Sequence, residues 1–366
     1  MATTPVHQKP DIITRSEGMA MKGVGILLIV THNLAHMLGV TGYDCNEYNF
    51  EQESADALFS IIAHPSANIL LQLSTLLGYC GIYIFLFLSA FGLVRKYEQG
   101  TVKMPSPRAF IWHHYTKLFK LMFFGLLSAI AVAYLLHSSM LPNKRDWLAQ
   151  ALMITNWLMP PYHHVFPGPY WFLGLMVELY IIYRLVLYVP HDGAKWRKWL
   201  IPVAFAAITL APQIWFRTAG REMIYLRYNF FVAGLSFSAG LLVARYGGIP
   251  RMSRWAWGGV MVVSTVAFIL MQKSPTTWVL SSLLAAVAII ALVKALSGMV
   301  LSLLVWVGGI SSSLFIVHPV IRFIAMEGRG MIEGHLLIAL YLCASLIAAV
   351  AYKRLLAIIP WPKLLQ

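Results

Sequence analysis

Long apolar segments occupy most of this chain, and they constrain its fold more than any other feature. Runs of apolar residues lie near 19–41, 69–94, 118–137, 148–159, 170–189, 199–216, 226–244, 255–272, 277–297, 301–322 and 334–357. A helix needs about 20 mostly apolar residues to cross about 30 Å of hydrocarbon. Charged residues make up only 11% of the chain, whereas roughly 25% is usual in soluble domains. The sequence therefore predicts an all-α polytopic membrane protein.

The run at 148–159 differs from the others because it is short and is followed by two prolines. Cytoplasmic loops are enriched in Lys and Arg, so their distribution tests whether this run crosses. The segment 42–68 is acidic and has no Lys or Arg, which predicts an outer loop, whereas 95–120 is basic and is predicted inside. The next strongly basic segment, 184–198, returns to the inside only if 148–159 does not cross. We therefore expect about ten transmembrane helices and one short re-entrant or interfacial segment.

This topology sets the expected domain organisation and location. We expect a cytoplasmic tail at 1–18, a single transmembrane domain at 19–358 and a second cytoplasmic tail at 359–366. The formal net charge of +14 would suggest nucleic acid in a soluble protein. Here basic cytoplasmic loops explain it, so membrane lipid and no nucleic acid is the expected partner. The predicted location is a bacterial inner membrane.

Two histidines lie inside the first apolar run, where water is scarce. His32 is deep in the run, and His36 lies one turn further on the same helical face. Polar groups in a span usually face protein or a water-filled cavity. The histidines could simply hydrogen-bond neighbouring helices, or His32 could serve as a general base, since neutral imidazole accepts a proton near pH 7. A zinc site would need further ligands; no convincing third ligand is evident, so no metal is expected.

Three other polar residues stand out within apolar runs. Ser89 lies among small residues, which favours close helix packing as much as a chemical role. Glu178 is in the middle of a span, where a carboxylate is protonated or needs a partner; His32 and Arg227 are the candidates. His318 is followed by a proline, which predicts a kink in its helix.

The order of these stretches resembles the acyltransferase 3 family of integral membrane acyltransferases. Lys22 precedes His32 by ten positions, similar to that family's basic residue and histidine, although the family more often has Arg and often one position earlier. The stretch 85–91 resembles Phe-Phe-Val-Leu-Ser-Gly-Phe, with Ala90 in place of Gly. The stretch 107–120 is similar in layout to the family's basic loop, with two histidines where paired arginines are usual.

The later stretches extend the resemblance to about residue 319. Trp171-Phe-Leu and Tyr180 resemble the family's Trp-x-Leu…Tyr span, but the position where many members carry Glu holds Met176. Glu178 is therefore a weaker match to the family's carboxylate, and it is kept as a candidate catalytic residue. The stretch 308–318 follows Gly-x-x-Ser-Tyr-x-x-Tyr-Leu-x-His except at the two tyrosines, which are Ser and Phe here.

The resemblance implies transfer of an acyl group, often acetyl, from a cytoplasmic thioester such as acetyl-CoA to a hydroxyl of a glycan or lipid-linked sugar. His32 is then the base or a transient acyl carrier, and Ser89, Asn33 or His318 would donate to the oxyanion. A basic cluster would bind the phosphates of acyl-CoA; it consists of Lys22, Arg95, Lys96, Lys117 and Lys120. Arginines predicted on the outer side would meet an anionic acceptor or lipid headgroups: Arg217, Arg221, Arg227 and Arg322.

A proton-coupled transporter or flippase is the competing interpretation. Intramembrane His and Glu residues and the broken segment at 148–159 are compatible with a carrier. The sequence shows neither paired interrupted helices nor internal symmetry, which disfavours that class.

Overall fold

The computed structural model describes residues 12–41, 50–100, 102–136, 144–158, 166–219, 226, 228–247, 249–327 and 334–360, and in these ranges it contains helices and no strands. The α-helices are α1 (Arg15–Met37), α2 (Gln52–Ala63), α3 (Ile69–Leu77), α4 (Gly81–Tyr97), α5 (Pro107–Leu135), α6 (Lys144–Ala151), α7 (Trp171–Ile182), α8 (Lys195–Thr218), α9 (Phe230–Tyr246), α10 (Arg254–Met271), α11 (Pro275–Ala295), α12 (Gly298–Glu327) and α13 (Gly334–Ile358). A 3-10 turn (Gly78–Cys80) joins α3 to α4, and a π turn (Tyr183–Leu187) extends α7.

The predicted polytopic all-α fold is confirmed. Among the described residues, nine helical segments are long and apolar enough to cross a membrane, and α9 is a shorter apolar helix of 17 residues. The segment 144–158 contains only the eight-residue α6 and a 3-10 turn. At 1.5 Å per residue α6 is about 12 Å long, well short of the ~30 Å of hydrocarbon, so this segment does not cross as a helix.

Two helix boundaries differ from the sequence expectation. The third crossing helix begins at Pro107, eleven residues before the apolar run, because the Ser106 hydroxyl accepts a hydrogen bond from the Ala109 amide and proline follows at the first helical position. The basic stretch 107–120, expected as a loop, is therefore helical. The second apolar run is also not continuous, since the turn at 78–80 interrupts it.

Helix α1 is central to the fold and packs most extensively on α12. Glycines make the close approach possible: a Cβ on Gly23 would lie 2.2 Å from the Leu304 carbonyl oxygen, and one on Gly308 would lie 1.8 Å from that of Met19. Small residues at membrane-helix interfaces allow such contact. On another face of α1, Gly81 meets Gly25 in the same way, so α4 runs antiparallel to α1.

The proline in α12 does not end that helix, which continues through Pro319 to Glu327. A proline has no N–H for the carbonyl one turn earlier. The adjacent carbonyl of Ile316 accepts a hydrogen bond of 2.8 Å from the Tyr170 hydroxyl. Neighbouring helices commonly satisfy carbonyls near membrane prolines in this way. His318 lies within α12, one residue before this proline, and is fully buried.

A buried ion pair holds together the end of the bundle at which α4 and α9 finish. Arg245 donates to both carboxylate oxygens of Glu98, each at 2.8 Å, and to the carbonyls of Leu187 and Lys198. The Tyr183 hydroxyl also donates to Glu98 at 3.1 Å. The two charged side chains are 2% and 3% exposed. Four segments distant in sequence are therefore joined by one hydrogen-bonded network.

Candidate functional site

His32 lies on α1 against the end of α3, and its side chain is only 1% exposed. Its Nδ1 is 3.1 Å from the Ser74 carbonyl oxygen. A carbonyl can only accept, so Nδ1 carries the proton of the neutral ring and Nε2 is the basic nitrogen. The ring stacks on that of His36 at 5.7 Å and meets the Tyr79 ring edge-on at 6.3 Å. The imidazole is thus held in one orientation and one tautomer.

Asn33, the residue after His32, connects α1 to α12. Its side-chain amide donates to the Ile29 carbonyl at 2.9 Å, and its Oδ1 accepts from Arg322 at 2.7 Å. On another side, the Tyr341 hydroxyl donates to the Val30 carbonyl at 3.3 Å. These bonds place an arginine beside the helix that carries His32. Of the four arginines proposed to meet an anionic acceptor, Arg322 has a described side chain; the Arg217 side chain, Arg221 and Arg227 lie outside the described residues.

His318 presents an acceptor rather than a donor in its neutral form. Its Nδ1 is 3.1 Å from the Leu314 carbonyl, so Nδ1 carries the proton. Nε2 is then a lone-pair acceptor; it is buried and has no hydrogen-bond partner among the described residues. A buried acceptor without a partner costs about 1–3 kcal/mol. The oxyanion role expected for His318 would require this ring to be protonated, and it stays a prediction.

Glu178 is held by donors from two other segments, among them the Trp157 side chain. The Asn156 side chain donates to Oε1, and the backbone amide of Phe230 donates to Oε2 at 3.0 Å. Phe230 is the first residue of α9, so the carboxylate lies at a helix N-terminus, where negative charge is favoured. Of the two partners that the sequence suggested, His32 hydrogen-bonds Ser74, and Arg227 is not described. Glu178 therefore joins the non-crossing segment 144–158 to α9.

We expect Glu178→Ala to destabilise the protein by about 1–3 kcal/mol, because partly buried donors on two other segments would lose their acceptor. Glu178→Gln keeps an acceptor oxygen and should lose less. The measurement is thermal unfolding of the purified protein in detergent, with the exposed Glu53→Ala on α2 as control. Equal losses in the three variants would contradict this structural role.

The predicted basic cluster is partly assembled in space. Lys22 on α1 and Lys117 on α5 are close enough for their charges to interact. Lys96 and Lys117 both lie near His114, whose Nε2 is 3.4 Å from the Tyr97 hydroxyl. We call the end of the bundle where α1 begins, α4 finishes and α5 begins the basic end. Cationic groups concentrated there favour an anionic ligand.

The remaining members of the predicted site are less closely gathered. Arg95 is exposed and donates to Gln99 at 3.1 Å. Lys120 lies one turn beyond Lys117 on the same helix. Ser89 is half-buried on α4, and its assignment as an oxyanion donor or a packing residue stays a prediction.

Sequence reasoning missed the groups that orient His32. The Ser74 carbonyl is a backbone atom, and no side-chain motif identifies it. Tyr79, whose hydroxyl donates to Gln272 at 3.1 Å, lies in the 3-10 turn between Gly78 and Gly81. Two glycines three residues apart inside an apolar run were the available signal, because they indicate close backbone approach.

Comparison with known proteins gives one match that covers most of the chain. A family model described as an acyltransferase domain, that of acyltransferase 3, matches residues 20–354. No curated protein and no solved structure matches the chain. The match includes α1 with His32, the basic end, and most of α13.

Proposed function

Because this chain belongs to the acyltransferase 3 family of integral membrane acyltransferases, we propose that it is an O-acyltransferase. The donor is a cytoplasmic acyl-CoA, acetyl-CoA in the simplest case. The acceptor is a hydroxyl of a cell-envelope glycan or lipid-linked sugar. The family supports acyl transfer in a membrane; the donor, the acceptor and the location are our proposal.

The observation that carries this proposal is the orientation of His32. Its Nδ1–H is committed to the Ser74 carbonyl at 3.1 Å, so the basic Nε2 is the atom that can receive a proton. A neutral, oriented imidazole is what a general base for an alcohol requires.

The donor would enter from the basic end. Lys22 and His32 are ten residues apart on α1, or about 15 Å along the helix. In acyl-CoA, the pantetheine arm separates the phosphates from the thioester carbonyl by a comparable length. With the phosphates near Lys22, Lys96 and Lys117, the thioester would reach the region of His32. Charge-assisted contacts to phosphate are the role proposed for the lysines.

His32 can then serve both proton transfers of the acyl-transfer reaction. The acceptor hydroxyl gives its proton to Nε2 of His32 while its oxygen attacks the thioester carbonyl. The tetrahedral intermediate collapses, the carbon–sulfur bond breaks, and the CoA sulfur takes the proton from the imidazolium. The alternative in which Nε2 itself attacks the thioester would give an acyl-histidine and ping-pong kinetics.

The proposed orientation follows from the same charges. The basic end faces the cytoplasm because Lys and Arg are enriched on that side of bacterial membranes. Both chain termini then lie in the cytoplasm, and the protein resides in the inner membrane. Accessibility of single cysteines introduced at either end to a membrane-impermeant reagent tests this arrangement.

The activity is tested with purified protein in detergent, radiolabelled acetyl-CoA and candidate glycans. Transfer of label to a glycan supports the proposal. Proton-dependent uptake into liposomes without turnover of CoA would support a carrier instead and would overturn it. Mass spectrometry of envelope glycans and lipids from a deletion strain and its parent identifies the acceptor.

We expect Arg95→Ala and Lys22→Ala each to raise the KM for acyl-CoA roughly tenfold, because a charged contact to phosphate contributes about 1.5–3 kcal/mol when it is well formed. Turnover should change much less. Steady-state kinetics with varied acyl-CoA measures both constants, and Arg197→Ala, an exposed basic residue on α8, is the control. A fall in turnover at constant KM would move the substituted residue from the donor site into the chemical step.

A further inference from the structure

We propose that Gly78 is a positioning residue for the acyl-transfer reaction and that it fixes the tautomer of His32. This inference rests on the proposed function, since it takes His32 as the base. Gly78 is the first residue of the 3-10 turn that interrupts the second apolar run. It acts on His32 in two ways, through a shared carbonyl and through the space it leaves.

The shared carbonyl is that of Ser74. The Gly78 amide caps α3 by donating to this oxygen, and Nδ1 of His32 lies 3.1 Å from the same oxygen. One carbonyl oxygen has two lone pairs and can accept both bonds. The position of the carbonyl relative to α1 is therefore coupled to the position of Gly78.

The second way in which Gly78 acts on His32 is through the space that its missing side chain leaves for α1. A Cβ on Gly78 would lie 2.6 Å from Cβ of His32 and 2.8 Å from the carbonyl oxygen of Leu28. Both atoms belong to or adjoin the backbone of α1, so neither can swing away as the end of a flexible side chain would. Any larger residue at 78 must separate α1 from the end of α3. The bond between Nδ1 and the Ser74 carbonyl would then lengthen or break.

Loss of that bond has a specific chemical consequence. Without an acceptor at Nδ1, the proton can move to Nε2, and Nε2 then cannot receive a proton from the alcohol. The imidazole can also rotate away from the thioester. Both changes reduce turnover. Neither acts on the basic end, ten residues earlier on α1, so the KM for acyl-CoA should not respond.

Gly81 provides a matched control on the same pair of segments. A Cβ there would lie 2.3 Å from the Gly25 carbonyl oxygen and 3.1 Å from Cγ1 of Ile29. Gly81→Ala therefore imposes a comparable overlap on α1, and none of the three atoms nearest to its Cβ belongs to His32. A purely structural role for these glycines would give the two alanine variants the same behaviour.

The kinetic test compares Gly78→Ala, Gly81→Ala and wild type in the acetyl-CoA assay, with thermal stability measured in parallel. We expect Gly78→Ala to lower kcat by about 10- to 100-fold, because misplacement by an ångström or less is enough for such losses. Its KM for acetyl-CoA should stay within about twofold of wild type. Gly81→Ala should lose less than about threefold in kcat at a similar loss of stability. Equal kcat losses in the two variants would overturn the inference.

A spectroscopic measurement keeps the inference testable if Gly78→Ala does not fold. Nitrogen-15 NMR of wild-type protein with labelled histidine reports which ring nitrogen is protonated, and His32→Ala assigns the signal. We expect Nδ1–H for His32 in wild type, whereas Nε2–H would overturn the inference. Full activity of His32→Ala would also overturn the inference, because His32 would then not be the base. Absence of label transfer by the wild-type protein would instead reject the proposed function itself, so the two failures are distinguishable.

Discussion

Replacing His32 with alanine should abolish acyl transfer while the protein still folds. General-base catalysis contributes about 10²- to 10⁴-fold to a rate, so kcat should fall by at least two orders of magnitude. The fold should survive because α1 remains fixed on α12 through Gly23 and Gly308 and through the bond between Asn33 and Arg322. Label transfer from acetyl-CoA measures the activity, and elution as a single species in detergent reports folding.

His36→Ala is the control for this experiment. His36 stacks on His32 at 5.7 Å, so its loss perturbs the same aromatic surroundings without removing the oriented base. We expect a loss in kcat of less than about tenfold, well below the full contribution of a general base. Unchanged turnover in His32→Ala would defeat the catalytic assignment. A larger effect of His36→Ala than of His32→Ala would transfer the role to the second histidine.

The class of fold could be predicted from the sequence. Whether a segment prefers lipid or water depends on its own apolar and charged residues and not on distant parts of the chain. The described part of the run at 148–159 is not among the helices long enough to cross, as its length in the sequence predicted. The early start of α5 was also readable: Ser106 followed by Pro107 is a helix-start signal. The apolar pattern alone obscured it, because two histidines, Arg108 and Lys117 interrupt the apolar residues in the first turns of α5.

The hydrogen-bond partners of buried polar groups could not be predicted from the sequence. The sequence showed that Glu178 needs a partner, but its partners include the Asn156 side chain and the amide of Phe230, which depend on how segments far apart in the chain are packed. The same holds for His32 and the Ser74 carbonyl. The sequence identifies His32 as a group that can react. The carbonyl that selects its tautomer is brought to it only by the tertiary structure.

The ion pair of Glu98 and Arg245 illustrates this limit most clearly, and its disruption should have the largest effect on stability. Glu98 directly follows the end of α4 in the sequence. In the structure it is buried and accepts from Arg245 and Tyr183. Glu98→Ala leaves the guanidinium buried without its counterion, which typically costs about 3–5 kcal/mol. We expect the Tm in detergent to fall by roughly 5–10 °C.

Two comparisons separate burial of charge from simple loss of contacts. The double variant Glu98→Leu with Arg245→Met removes both charges and should recover part of the lost stability, because replacing a buried pair by apolar groups is often neutral. Glu17 and Lys294 form a second pair at 2.9 Å whose side chains are 22% and 12% exposed. Since solvent screens that pair, Glu17→Gln should cost about 1 kcal/mol or less. If Glu98→Ala were no more destabilising than Glu17→Gln, the network at the end of α4 would not stabilise the bundle, and the arrangement of the basic end would need another explanation.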